Sequence, residues 1–208
     1  MANNPLVKGW ATIDKDGGTG NGTLVASASQ HTGRVARSVT FTVSPTTTGP
    51  SPVQRTINQQ AKPEFVSFDN ATPQVDKAGG SITITGKSNS SKLTFSLGTG
   101  TLVLTLPSTY SAGGVTTNNG TAITGDPGAT QEYAFAITFT GIATNTTVNT
   151  KSIQLSVAPN AGTATTCQIE QTAGNATLTV TPESVTIPWD ASETKTFTVT
   201  SNISWNVS

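Results

Sequence analysis

The chain has 208 residues, of which 11% are charged, and eleven Lys and Arg balance eleven Asp and Glu. A neutral chain with so few charges has no basic surface to attract nucleic acid, so we expect no nucleic-acid partner. It also has no apolar run of about 18 to 20 residues, as a membrane-spanning helix requires, so we expect no membrane partner.

The predicted elements, in chain order, are strands. Residues 6–13 predict a first strand, and later apolar runs alternate with a period of two, as half-buried antiparallel strands do. Clusters of Gly, Asn, Asp, Ser and Pro separate these runs and predict turns, and no segment predicts a helix. The fold class is therefore all-β, with antiparallel β-sandwiches as the expected architecture. The clearest alternating runs are 38–43, 81–85, 152–157 and 196–200.

Two segments near the N-terminus invite a metal interpretation. The run Asp14-Lys15-Asp16-Gly17 begins as a calcium loop does, but it has neither a third acidic ligand nor a closing Glu, so a hairpin loop is the preferred reading. His31 is the only histidine and has no second ligand nearby, so we expect a solvent-exposed turn residue. We predict no metal and no cofactor.

An internal repeat divides the chain. A closing hairpin around residues 38–61 recurs at 152–173, and each copy is followed by a proline, a short loop and a Thr-rich strand. The chain therefore reads as the second half of a domain, a whole domain and the first half of a domain. We predict two immunoglobulin-like β-sandwiches. One is split between residues 1–61 and 174–208 in circularly permuted order, and the other is inserted at 62–173.

The predicted split domain has a characteristic order of strands, loops and tryptophans. Its order is a Thr/Val strand at 196–200, then Ser201-Asn202-Ile203-Ser204-Trp205, a second strand with Trp10, a Gly-rich loop at 17–22 and a hairpin ending in Gln59. This order resembles the BACON domain, an immunoglobulin-like sandwich named for a proposed carbohydrate-binding role. The middle domain resembles it less, since no Trp follows Ser88-Asn89.

The resemblance implies a role for each tryptophan. Trp205 occupies the core position of the family, and Trp10 is expected to pack similarly. Trp189 follows Pro188 at a strand end and is the best candidate for an exposed glycan contact. Tyr110 and Tyr133 flank a long loop and are a second candidate contact surface.

The two halves can be joined in two ways. Within one chain, they would give a two-domain monomer, which we prefer because sandwich termini often lie close together. Between chains, one molecule's tail would complete the sheet of a neighbour, as in donor-strand exchange. In either case the residues expected to complete the domain are Trp10, Ile13, Leu24, Val25, Phe197, Val199 and Trp205.

Catalysis is not expected, because the acids are scattered over turns and no Ser-His arrangement exists. The single Cys167 predicts a packed side chain in a protein made in a reducing cytosol, and no secretion signal is recognised.

The chain resembles the auxiliary capsid proteins of tailed bacteriophages, and BACON-like domains occur in crAss-like phages. This implies a decoration protein on the capsid exterior that binds the major capsid protein and other virion proteins, with glycan or mucin as a further partner. The alternatives are a carbohydrate-binding module or host-recognition adhesin, on a tail fibre or a bacterial surface, and a connector at a capsid vertex.

Overall fold

A computed structural model describes residues 4–208. The prediction of an all-β sandwich fold is confirmed, since the described residues form sixteen strands in mainly antiparallel sheets and one 3-10 turn at Pro127–Ala129. None of the described residues forms a helix long and apolar enough to cross a membrane. Residues 1–3, which entered the prediction that no secretion signal is present, lie outside the described residues.

The middle of the chain forms a closed sandwich of two sheets. One sheet has the order β11-β10-β12-β8-β6, and the other has the order β7-β14-β13-β9, in which β7 and β14 are parallel. The strands are β6 (Val66–Phe68), β7 (Gln74–Val75), β8 (Gly80–Ser88), β9 (Leu93–Gly100), β10 (Thr109–Ala112), β11 (Val115–Asn118), β12 (Tyr133–Ile142), β13 (Lys151–Pro159) and β14 (Thr165–Gln171).

The hydrophobic core belongs to this middle domain. Alternate residues of each strand point inward, as the period of two requires. In the first sheet, β12 therefore contributes four buried side chains to the core, those of Tyr133, Phe135, Ile137 and Phe139. Phe95 of β9 packs edge to face on Phe135 with ring centroids 5.6 Å apart. The single core cluster of the described residues contains residues 66–169 only.

The N-terminal part forms two small sheets. A three-stranded sheet has the order β1-β2-β3, and β4 and β5 form a separate hairpin. The strands are β1 (Leu6–Lys8), β2 (Ala11–Ile13), β3 (Ala26–Ala28), β4 (Arg37–Val43) and β5 (Val53–Gln59). The prediction of one strand over 6–13 is wrong, because Gly9 has a φ of +62° and turns the chain into a tight hairpin.

The C-terminal part is a single hairpin of β15 (Leu178–Thr181) and β16 (Thr198–Ser201). It pairs with no other strand of the described chain. No residue between 174 and 208 is fully buried. We call residues 4–61 the head and residues 174–208 the tail.

Candidate functional site

The head and the tail contact opposite ends of the closed sandwich. At the Ser88 end of β8, the head residue Thr32 accepts a hydrogen bond from the side chain of Asn89. At the Gly80 end, the tail residue Asn202 donates a 2.8 Å hydrogen bond to the carbonyl of Thr146, in the loop after β12. Because β8 has nine residues, these two joints lie about 25 Å apart along the strand.

The head joint is built around Asn89, whose side chain is fully buried. Its Nδ2 donates to the carbonyls of Thr32, Lys62 and Pro63, and its Oδ1 accepts from the backbone N–H of Phe65. All the polar atoms of this buried amide are therefore satisfied by backbone groups, as a buried polar group requires. The amide fixes the path of the linker between head and sandwich.

Arg34 adds charge to the head joint. Its guanidinium donates to the carbonyl of Asn89 at 2.9 Å and pairs with the carboxylate of Asp126. Its Nε lies 3.7 Å from a carboxylate oxygen of Glu64, and both side chains are largely buried. An arginine that serves two carboxylates and a carbonyl makes strong, charge-assisted contacts.

The tail joint repeats the hydrogen bonds of the head joint. Ser201 Oγ donates to the carbonyl of Thr177 as Ser88 Oγ donates to that of Phe65. Asn202 Oδ1 accepts from the N–H of Thr177 as Asn89 Oδ1 accepts from that of Phe65. The tail is therefore joined to the sandwich by the same pattern of hydrogen bonds that joins the sandwich to the head. The repeat read from the sequence thus extends to the geometry of the joints.

The correspondence between the two joints also explains the position of His31, the only histidine of the chain. His31 Nε2 lies 2.7 Å from the carbonyl of Val35, and Asn145 Nδ2 makes the equivalent bond to the carbonyl of Asn149 at 2.8 Å. Both side chains are buried. The expectation that His31 is a solvent-exposed turn residue is therefore wrong, because its ring closes a loop of the head joint. Its other ring nitrogen, Nδ1, is buried and has no hydrogen-bond partner among the described residues.

The head has an open cleft between the β1-β2-β3 sheet and the β4-β5 hairpin. The cleft has a volume of about 350 Å³, and Ile13, Leu24 and Phe41 give it apolar walls. Ile13 is buried, whereas Leu24 and Val25 are about half exposed. The Gly-rich loop at 16–22 forms the rim.

The acidic residues of this loop are engaged by backbone. Asp14 Oδ1 accepts a 2.8 Å hydrogen bond from the N–H of Val25, and Asp16 Oδ1 accepts from that of Asn4 at 3.3 Å. Across residues 4–208, no group of three or more His, Cys, Asp or Glu side chains is arranged to hold a metal ion. The loop acts as the hairpin connection that the sequence favours.

The residues predicted to complete the split domain are divided between the two ends. Trp10, Ile13, Leu24 and Val25 lie in the head, and Phe197, Val199 and Trp205 lie in the tail, where β15 and β16 pair only with each other. Phe197 and Trp205 are about half exposed, and Val199 is partly buried. The structure does not bring the two groups together in one molecule, because their joints lie at opposite ends of the sandwich.

The tryptophans have three different environments. Trp10 is partly buried, and the guanidinium of Arg37 lies 4.6 Å from its ring centroid in a cation–π contact. Trp205 does not pack between sheets within this chain, which departs from the expectation. Trp189 is 98% exposed, the largest exposure among the apolar side chains described. Its predicted exposure agrees with the structure, while glycan binding stays a prediction.

Tyr110 and Tyr133 are both buried, so the expectation that they offer a contact surface is wrong. The hydroxyl of Tyr110 accepts from the N–H of Leu93 at 3.2 Å, and that of Tyr133 donates to the carbonyl of Ser90 at 2.9 Å. Burial raises the pKa of both phenols. Both tyrosines are core residues with satisfied hydroxyls.

Cys167 is buried in β14, as the sequence predicts, and burial raises the pKa of its thiol to about 11. A thiol with such a pKa carries almost no thiolate at neutral pH, so it is a poor nucleophile.

Comparisons with known proteins give little. No protein-family model matches the chain, and no curated protein matches it. Among solved structures, it is similar to two endo-fucoidan hydrolases of glycoside hydrolase family 107. MfFcnA4 has 11% identity over 83% of this chain and 23% of its own, with a TM-score of 0.30. MfFcnA9 has 13% identity over 83% and 27%, with a TM-score of 0.27. The chain spans about a quarter of the length of these two proteins.

Proposed function

We propose that this chain is a non-enzymatic structural protein that decorates the outside of a tailed-bacteriophage head by binding the major capsid protein and other virion proteins. One observation supports the proposal. The closed sandwich carries the head at one end and the tail at the other, and each of them exposes apolar side chains. Exposed apolar patches of this kind mark protein–protein interaction surfaces.

The electrostatic character fits an outer surface. With a formal net charge of zero, the chain lacks the positive field that a DNA-facing capsid protein needs. The BACON-like motif and the likeness to accessory proteins of crAss-like phages, both read from the sequence, are part of this proposal. So is the virion location after synthesis in the host cytoplasm.

Quantitative mass spectrometry of purified particles tests the proposal. A decoration protein is expected in many copies, in a fixed ratio to the major capsid protein, and antibody labelling is expected on the outside of intact heads. A few copies confined to one vertex would instead favour a connector. Absence from the particles contradicts every virion role.

A second candidate is a carbohydrate-binding module or host-recognition adhesin, which the exposure of Trp189 favours. A flat aromatic face in solvent is the usual surface for stacking a sugar ring, and Asp190 beside it offers a hydrogen-bond acceptor. Glycan arrays and mucin pull-down test it with the wild type, Trp189→Ala and the control Ile187→Ala, which removes a neighbouring exposed side chain without a ring. Saturable binding that only Trp189→Ala abolishes would establish the adhesin.

A further inference from the structure

The closed sandwich shows how the two half-domains fit together. In the sandwich, β6 pairs with the end of β8 so that Val66 lies opposite Ser88. In the tail, β15 pairs with β16 so that Leu178 lies opposite Ser201. Together with the repeated bonds of the joints, this register identifies the tail as the first two sheet-pairing strands of a second sandwich.

Apolar positions of the tail are exposed where their equivalents in the sandwich are buried. Leu178 is 51% exposed, whereas Val66 is 7% exposed. Phe197 precedes Ser201 as Ile84 precedes Ser88, and the two side chains are 49% and 2% exposed. Trp205, which follows the joint asparagine Asn202, is also 52% exposed.

In the described part of the head, strand edges are unpaired where the equivalent edges of the sandwich are paired. The head's hairpin of β4 and β5 corresponds to β13 and β14, but β13 also pairs with β9, whereas β4 and β5 pair with no other strand of residues 4–208. Similarly, β12 pairs with β8 on one edge, whereas the outer edge of β3 has no partner strand within the same described range. Val43 is 49% exposed, and its equivalent Val157 is fully buried. The head therefore lacks the strands that a tail supplies.

The net charges of the two segments also favour contact between a head and a tail. Residues 1–61 hold five basic and two acidic side chains, a net charge of +3, whereas residues 174–208 hold one basic and three acidic side chains, a net charge of −2. Opposite charges on two apolar surfaces speed their association and disfavour head-to-head or tail-to-tail contacts.

We propose that the tail of one molecule completes the head of a second copy of this chain. In the completed domain, the tail lies along the free edge of β3, as β8 lies along β12 in the sandwich, and Phe197 and Trp205 enter the cleft lined by Ile13 and Phe41. Because head and tail lie at opposite ends of the sandwich, the contact is heterologous and builds head-to-tail chains or rings. This inference is independent of which particle the chain decorates.

Sedimentation velocity of the purified full chain tests the self-assembly. From low to high micromolar concentration, we expect a ladder of species at multiples of 21.3 kDa. Phe197→Asp disables the tail and Phe41→Asp disables the head. Each change should raise the concentration for half-assembly by about 100-fold, as the loss of a buried anchor in an interface does. The control Val103→Asp, on an 87% exposed side chain of the middle domain, should leave the ladder unchanged.

Mixing the two disabled variants gives the sharper test. Each variant keeps one intact surface, so the mixture should form a one-to-one heterodimer and stop there, while each variant alone stays monomeric. Protection of the Cys167 thiol in each variant shows that the sandwich is still folded. A longer ladder in the mixture, or no heterodimer, would overturn the proposal.

The head could instead be completed by the tail of the same molecule, or its surface could bind a different protein. Each case predicts a different result in these experiments, and each of those results overturns the proposal. Because the chain has three tryptophans, a variant with Trp10→Phe and Trp189→Phe is used to follow Trp205 alone. A wild-type monomer at every concentration, with Trp205 fluorescence of this variant shielded from acrylamide, would show completion within one molecule. A wild-type monomer with Trp205 accessible would show that the surface serves a different protein. Capsid binding by either monomer would leave the proposed decoration role intact, so the two ideas fail separately.

Discussion

The guanidinium of Arg34 donates a 2.9 Å hydrogen bond to the backbone carbonyl of Asn89, and this contact ties the head to the closed sandwich. Asp126 and Glu64 supply the opposing charges from two other loops. The joint therefore depends on one cation that contacts three separate segments of the sandwich.

Replacing Arg34 should loosen the head. Arg34→Ala leaves Glu64 nearly buried without its cation, and we expect a loss of about 2 kcal/mol in the free energy of unfolding. Thermal denaturation measures the loss, and limited proteolysis should show faster cleavage between head and sandwich. The control is Arg55→Ala, whose exposed side chain donates only to the carbonyl of Gln54. It should change stability by less than about 0.5 kcal/mol. Equal effects of the two variants would contradict this role for Arg34.

The two tyrosines of the chain provide an alkaline probe of the sandwich. Burial raises the pKa of Tyr110 and Tyr133 above the ordinary value near 10. The folded state therefore keeps protons that the unfolded state loses, so their stabilisation is complete below about pH 10 and declines as the pH rises further. Tyrosinate absorbance should stay low until alkaline unfolding and then appear for both residues together. Reversible titration of either tyrosine near pH 10 in the folded protein would refute their burial.

Cys167 should resist alkylation in the folded protein. Raising the pKa of its thiol from 9.0 to about 11 lowers the thiolate fraction at pH 8 about 100-fold. Steric burial slows the reaction further. Mass spectrometry after brief treatment with iodoacetamide should find the thiol unmodified in buffer and modified in denaturant. Rapid labelling in buffer would show that β14 is accessible.

Much of the fold follows from the sequence because strand alternation is local. Strands β4, β8, β13 and β16 lie where the period of two predicts them. The first predicted strand fails at Gly9, whose positive φ depends on the turn that the chain makes there. The burial of Tyr110 and Tyr133 could not be read locally either, because their hydroxyls are satisfied by Leu93 and Ser90, which are distant in sequence.

The candidate site was predictable as a set of residues but not as an arrangement. The repeat predicts two half-domains, and their apolar residues follow from the alternation. Which end of the sandwich holds each half depends on Asn89 and Asn202, and the hydrogen bonds of their side chains are tertiary. This separation, rather than anything local in the sequence, keeps the head and the tail of one molecule apart.

His31 should be replaceable by asparagine, because Asn145 performs the same task at the other joint. His31→Asn keeps a side-chain donor for the carbonyl of Val35 and removes the buried Nδ1 that lacks a partner, so stability should change by less than about 0.5 kcal/mol or increase. His31→Leu removes the donor and leaves that carbonyl unsatisfied, which should cost about 1 to 3 kcal/mol. Chemical denaturation of the two variants measures the difference. A loss of similar size in both would mean that the ring itself, rather than its hydrogen bond, holds the loop.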